Sequence, residues 1–140
     1  MIYEYKKKNY LISTDKRKLQ PKFIHDFLTN SYWAKGCSYD SVKKRIKNSH
    51  CYGIYHNQKQ VGFCRVISDS IMFSYLADVF VIEEYRGRGL SKGLMKCAMS
   101  HPVLGKTESW MLKTKDTHGL YRKYGFRLVQ NPELIMEKKK

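Results

Sequence analysis

The chain has 140 residues, 42% hydrophobic and 14% aromatic, which supplies apolar surface for one ordinary core, excludes a disordered or low-complexity class, and makes residues 1–140 one domain. Lys and Arg number 27 against 12 Asp and Glu, a formal charge of +15 that attracts any polyanion without choosing among nucleic acid, acidic membrane and a phosphorylated small molecule. No uninterrupted apolar run reaches the roughly 18 residues of a membrane span, and Lys6, Lys7 and Lys8 stand where a signal core would lie, so the expected location is the cytoplasm.

In chain order, Tyr10–Ser13 reads as a short strand, and Pro21 opens a helix through Leu28 with Phe23, Phe27 and Leu28 on one face. Tyr32 to Gly36 (YWAKG) is a loop carrying two aromatics. Ser38 to Lys47 is a second helix, capped by Ser38 or Asp40, with Val42 and Ile46 four apart. A meander follows: Cys51–Tyr55, a turn at His56–Lys59, Val61–Ile67, a turn near Asp69, then Met72–Ile82. Apart from Ser74 and Asp78 the last segment is apolar on both faces, which predicts a strand covered on both sides. Leu90, Leu94, Met95 and Ala98 keep helical spacing up to Pro102. Ser109–Leu112 is a strand, Thr117–Tyr124 a helix ended by Gly125, and Phe126–Val129 and Leu134–Glu137 are closing strands around Asn131 and Pro132. The order predicts a mixed α+β sheet with helices on both faces, in which a parallel crossover joins Met72–Ile82 to Ser109–Leu112.

The basic residues run from Lys6 to Lys140 and form no single stripe, which argues against nucleic acid as the partner. Cys37, Cys51, Cys64 and Cys97 are widely separated, without CxxC or a histidine at ligand spacing, so no metal is expected. Cys64 and Cys97 fall in apolar segments as small core residues.

Tyr85 to Ser91 (YRGRGLS) carries the chemistry. A pyrophosphate needs several N–H donors converging on one point, and a helix start supplies them with the favourable end of its dipole. Gly87, Arg88, Gly89, Leu90 and Ser91 are placed to do so; the glycines leave no Cβ in the way, and Arg86 and Arg88 add positive charge. By itself this turn specifies a phosphate site or a plain strand-to-helix connection.

Arg86, Gly89 and Ser91 occupy the signature R/Q-x-x-G-x-G/A of the GCN5-related N-acetyltransferase (GNAT) superfamily, with Ser91 departing from the usual glycine or alanine. Tyr121 to Phe126 (YRKYGF) resembles the family's LYxKxGF segment. Together with the YWAKG loop and LADVFVIEEYRGRG, the chain resembles a subgroup of small bacterial members over nearly its whole length. The resemblance implies a central, mostly antiparallel twisted sheet of six to seven strands with a splayed parallel pair, flanked by about four helices. It also implies acetyl-CoA as co-substrate, with the pantetheine arm pairing with backbone groups of Val79, Phe80 and Val81 and the acetyl carbonyl near the Val79 amide. Dimers are common in the family, so a homodimer is compatible with the resemblance.

Transfer from a thioester to an amine needs a neutral amine and a proton for the departing sulfur. Tyr121 matches the tyrosine that many family members use as general acid, or else packs its helix on the sheet. Asp78 is the one ionisable residue in an apolar strand. It is a base, an amine anchor, or a structural partner of a basic neighbour such as Arg65. The family's more usual glutamate base falls on Tyr75, and its common asparagine on Thr114. Asp116 and His118 line the same cavity or serve as helix cap and surface residue. Tyr32 and Trp33 wall the acceptor site, or Trp33 packs in the core. The leading expectation is an acyltransferase acting on an unidentified amine; the competing ones are a coenzyme A-binding or sensing module without turnover and a basic nucleic-acid-binding protein.

Overall fold

In the computed structural model, which describes residues 1–140, the apolar middle of the chain forms a six-stranded sheet whose spatial order follows chain order. The strands are β1 (Glu4–Lys7), β2 (Tyr10–Ser13), β3 (His50–His56), β4 (Lys59–Ser68), β5 (Phe73–Val81) and β6 (Ser109–Leu112). All neighbours are antiparallel except β5 and β6, which are parallel and joined through α3 (Leu90–Ser100). Helices α1 (Pro21–Thr29) and α2 (Tyr39–Lys47) lie between β2 and β3, and α4 (His118–Arg122) follows β6. None is long and apolar enough to cross a membrane.

Period-two alternation sends adjacent residues to opposite faces. Tyr52 and Cys64 join Leu94, Met95 and Ala98 of α3 in one buried cluster, while Cys51 and Phe63 join Ile24 and Leu28 of α1 and Val42 of α2 in the other. Both sheet faces are thus covered, as the strand composition predicts. Pro21 starts α1, and the Ser38 hydroxyl accepts from the Ser41 amide at 3.0 Å to cap α2. The four cysteines are free thiols, with Cys51, Cys64 and Cys97 buried.

Two expectations need correction, and one strand was not expected at all. Strand β1 has no apolar alternation, since all four residues (EYKK) are exposed; it exists only through its ladder with β2. The closing strands expected at Phe126–Val129 and Leu134–Glu137 are absent, and the region holds one short 3₁₀ turn at Pro132–Leu134. Their apolar residues Leu128, Leu134 and Met136 are exposed, so the alternation buries nothing that would offset the cost of ordering two strands. The last helix covers five residues instead of Thr117–Tyr124: Gly125, at φ +91, ends the turn, and the Phe126 amide reaches back to the Tyr121 carbonyl at 3.2 Å.

Leu94 is fully buried where α3 meets the sheet. Leu94→Ala should lower unfolding free energy by about 2–5 kcal/mol, measured as a shift in urea midpoint at unchanged slope.

Candidate active site

The ladder between β5 and β6 runs only from Phe73 with Ser109 to Leu76 with Leu112. Beyond Leu76 the two strands separate, and the outer edge of β5 faces an open wedge. On its inner edge the register against β4 shifts between Phe63 and Arg65, so that Asp78 and Val79 together oppose Cys64. This is a β-bulge, with Asp78 at φ +54. An added Cβ at Gly62 would stand 2.9 Å from the Phe80 carbonyl oxygen, so the backbone groups of Phe80 face β4. Alternation then turns those of Val79 and Val81 toward the wedge. The Phe80 ring is core, stacked on Phe27 with centroids 3.9 Å apart.

Asp78 is buried and fully engaged. Its Oδ2 accepts from Arg65 Nε at 2.5 Å and from Arg45 Nη1 at 3.5 Å, and its Oδ1 from the Trp33 indole N–H at 3.0 Å. Trp33 therefore both lines the site and bonds to it. Arg45 belongs to α2 and escaped the sequence reading. Its only sequence signal is its place three residues after Val42, on the rim of the apolar stripe that docks α2.

The wedge opens into a cavity of about 800 Å³, lined among others by Tyr32, Trp33, Asp78, Val79, Asp116 and Tyr121. Burial pushes the Tyr121 phenol up to about 12. The Tyr32 hydroxyl accepts from the Lys115 amide at 3.3 Å, tying the aromatic loop to the segment after β6. Asp116 lines this cavity but does not cap α4: the cap position is Thr117, whose hydroxyl donates to the Asp116 carboxylate at 3.1 Å. His118 lines a separate cavity of about 300 Å³ that also touches Tyr121.

The turn after β5 has the conformation its glycines suggest. Gly87 and Gly89 both stand at φ +77, with no atom within 4 Å of where a Cβ would be. Gly89 caps α3 without a side-chain bond, and the amides from Gly87 to Lys92 donate to no protein acceptor, as the first amides of a helix must. The two arginines diverge. Arg86 Nε donates to the Val81 carbonyl at 2.9 Å, whereas Arg88 lies over the Tyr85 ring at 4.8 Å and donates to the Tyr10 hydroxyl at 2.9 Å.

A splayed parallel pair, a bulge at the mouth of the wedge and a glycine turn at the start of α3 define the GNAT acetyltransferase fold, and the comparisons agree. The family model described as the acetyltransferase (GNAT) domain matches residues 47–128. A crystal structure of a candidate acetyltransferase of the GNAT family from Xanthomonas campestris pv. campestris is 41% identical, with 96% of each chain covered and a TM-score of 0.92. A candidate acetyltransferase from Gibberella zeae is 28% identical over 108 residues, 63% of this chain; the match spans 61% of that protein's length. A GNAT acetyltransferase from Elizabethkingia anophelis, crystallised with acetyl-CoA bound, shares the fold at 16% identity and a TM-score of 0.62, over 93% of this chain and 77% of its own. The chain belongs to the GNAT acetyltransferase family.

Replacing Asp78 by Ala strips two guanidinium groups and an indole of their shared acceptor. The expected cost is about 3 kcal/mol, read as a fall in urea midpoint. Asp116→Ala, which loses only a surface bond to Thr117, should leave the midpoint in place.

Proposed function

We propose that residues 1–140 act as one acetyl-CoA-dependent N-acetyltransferase domain that passes the acetyl group to a primary amine by direct attack in a ternary complex. The observation that carries this reading is the open edge of β5, which runs between a turn with free amides and a cavity containing a buried, protonated tyrosine.

In this reading the amides of Gly87 to Ser91 hold the pyrophosphate, with the start of α3 adding its dipole. The wedge-facing backbone of Val79 and Val81 pairs with the pantetheine arm, while Phe80 turns its backbone to β4 and its ring to the core, against Phe27. The bulge turns the Val79 amide toward the acetyl oxygen, where it stabilises the charge that develops as the amine attacks. A C–N bond forms and the C–S bond breaks. Tyr121 donates its proton to the departing sulfur, and burial ensures that the phenol still carries that proton at neutral pH.

The incoming amine must be neutral to attack. Because the Asp78 carboxylate is already occupied by three donors, we assign it to holding Arg45, Arg65 and Trp33, not to taking the amine's proton. The cavity supplies another means. Arg45, Arg65, Lys113, Lys115 and Lys139 outnumber Asp78 and Asp116 along its wall, and like charge disfavours an ammonium. That proton leaves to water through the open side of the cavity, and the second proton, shed by the nitrogen once the C–N bond has formed, passes by way of water to the Tyr121 phenolate and restores the acid.

Tyr121→Phe should lower kcat by about 10²-fold and leave the Kd for acetyl-CoA unchanged; an unaltered kcat would sink the acid role. Gly89→Ala, at a position with φ +77, should instead raise the KM for acetyl-CoA and spare kcat at saturation, with thiol release as the readout.

A further inference from the structure

The acceptor pocket carries a feature that acetyl transfer alone does not require. Two arginines from different elements, Arg45 on α2 and Arg65 on β4, converge on one carboxylate, so the trio keeps a net positive charge inside the cavity. Arg65 spends only its Nε on Asp78, and both of its terminal nitrogens donate to no protein atom. Its side chain is 14% exposed and that of Arg45 28%. The only sealed side-chain polar atoms lacking a partner are the hydroxyls of Tyr52 and Tyr55, so the spare guanidinium nitrogens are reachable by solvent, on side chains that line the cavity. Arg45 touches Asp78 only through the 3.5 Å contact, leaving the rest of its planar fork uncommitted. Lys115, with its Nζ 5.6 Å from the Tyr32 ring centroid, adds another cation to the cavity lining.

A half-buried guanidinium with unused donors in a cavity of about 800 Å³ fits a ligand that supplies acceptor oxygens there. A second positive charge on the ligand would be repelled. We propose that the acceptor is a small amine bearing an anionic group a few bonds from its nitrogen, a carboxylate or a phosphate, bound by the free nitrogens of Arg65 and Arg45. This rests on the acetyl-transfer reading above and names the acceptor class for the same pocket. The carboxylate of Asp78 does not compete for those nitrogens; by taking Arg65 Nε and one edge of Arg45 it sets the direction in which the remaining donors point.

The test uses matched pairs: an α-amino acid against the amine left when its carboxylate is removed, and phosphoethanolamine against ethanolamine. Thiol release from acetyl-CoA gives kcat/KM, and calorimetry in the presence of coenzyme A gives Kd. The anionic member of at least one pair should exceed its partner at least tenfold in kcat/KM or in affinity, and the pair that responds tells carboxylate from phosphate. Arg45→Gln and Arg65→Lys, each first shown by melting to remain folded, should abolish that preference, with the loss falling on the KM and Kd of the anionic member of the pair. Equal or better use of uncharged or dicationic amines would overturn the proposal and leave acetyl transfer intact. An arginine-dependent binding preference without thiol release would uphold the acceptor class and overturn the catalytic reading. Absence of both turnover and binding preference would overturn the two together.

Discussion

Asp78 stands at φ +54 in an otherwise extended strand, a conformation that disfavours a residue with a Cβ by roughly 1–2 kcal/mol. The chain stays there because the carboxylate it presents accepts from Arg65, Arg45 and Trp33, which arrive from β4, α2 and the loop between α1 and α2. Local strain and long-range attraction therefore support one another. The bulge aims the carboxylate into the cavity, and the donors lock the bulge. Much of the site follows from that lock. It turns Val79 toward the wedge, places Phe80 against Phe27, and draws the aromatic loop over the pocket mouth.

Those parts of the fold that bury side chains were legible in the sequence. Strands β3, β4 and β5 are apolar toward both sheet faces, and α3 repeats Leu90, Leu94 and Ala98 at helical spacing, so burial alone specifies them. Strand β1 was hidden because its ladder is made by backbone groups while its side chains stay in water. The opposite error befell the C-terminal segment, where Leu128, Val129 and Leu134 have apolar character but stay exposed. At the site, the glycine turn was legible because two residues at positive φ preceding a helix leave a compositional mark. Asp78 was conspicuous as the charge in an apolar strand. Its pairing with Arg65 was among the roles the sequence offered, but Arg45 and Trp33 lie 33 and 45 positions away and only folding shows that they reach the same carboxylate.

A catalyst that moves acetyl groups between an anionic cofactor and an amine faces conflicting electrostatic demands. Positive charge helps hold phosphates but repels an ammonium. On the proposed reading both demands are met by the same sign of charge, because an acceptor that must shed its proton before attack gains from a cationic pocket. An anionic group on the acceptor restores its binding. The +15 net charge thereby acquires a local meaning that composition could not give it, at a handful of residues whose donors face the cavity.

The two arginines of the glycine turn divide their work in a way that the signature alone does not reveal. Since Phe80 turns its carbonyl to β4, Val81 presents its own to the wedge, and Arg86 takes it. The wedge is thus closed by protein at its far end, and the exposed backbone of β5 shortens to Val79 and the Val81 amide. Arg88 is held on the other side of the turn by Tyr85, Tyr10 and the Glu84 carbonyl. Neither guanidinium is left to swing freely, so on the proposed reading pyrophosphate recognition falls chiefly to the backbone amides of Gly87 to Ser91. Their directions are fixed by φ angles instead of by flexible side chains, which is why glycine is needed at positions 87 and 89 and serine suffices at 91, a helical position without that constraint.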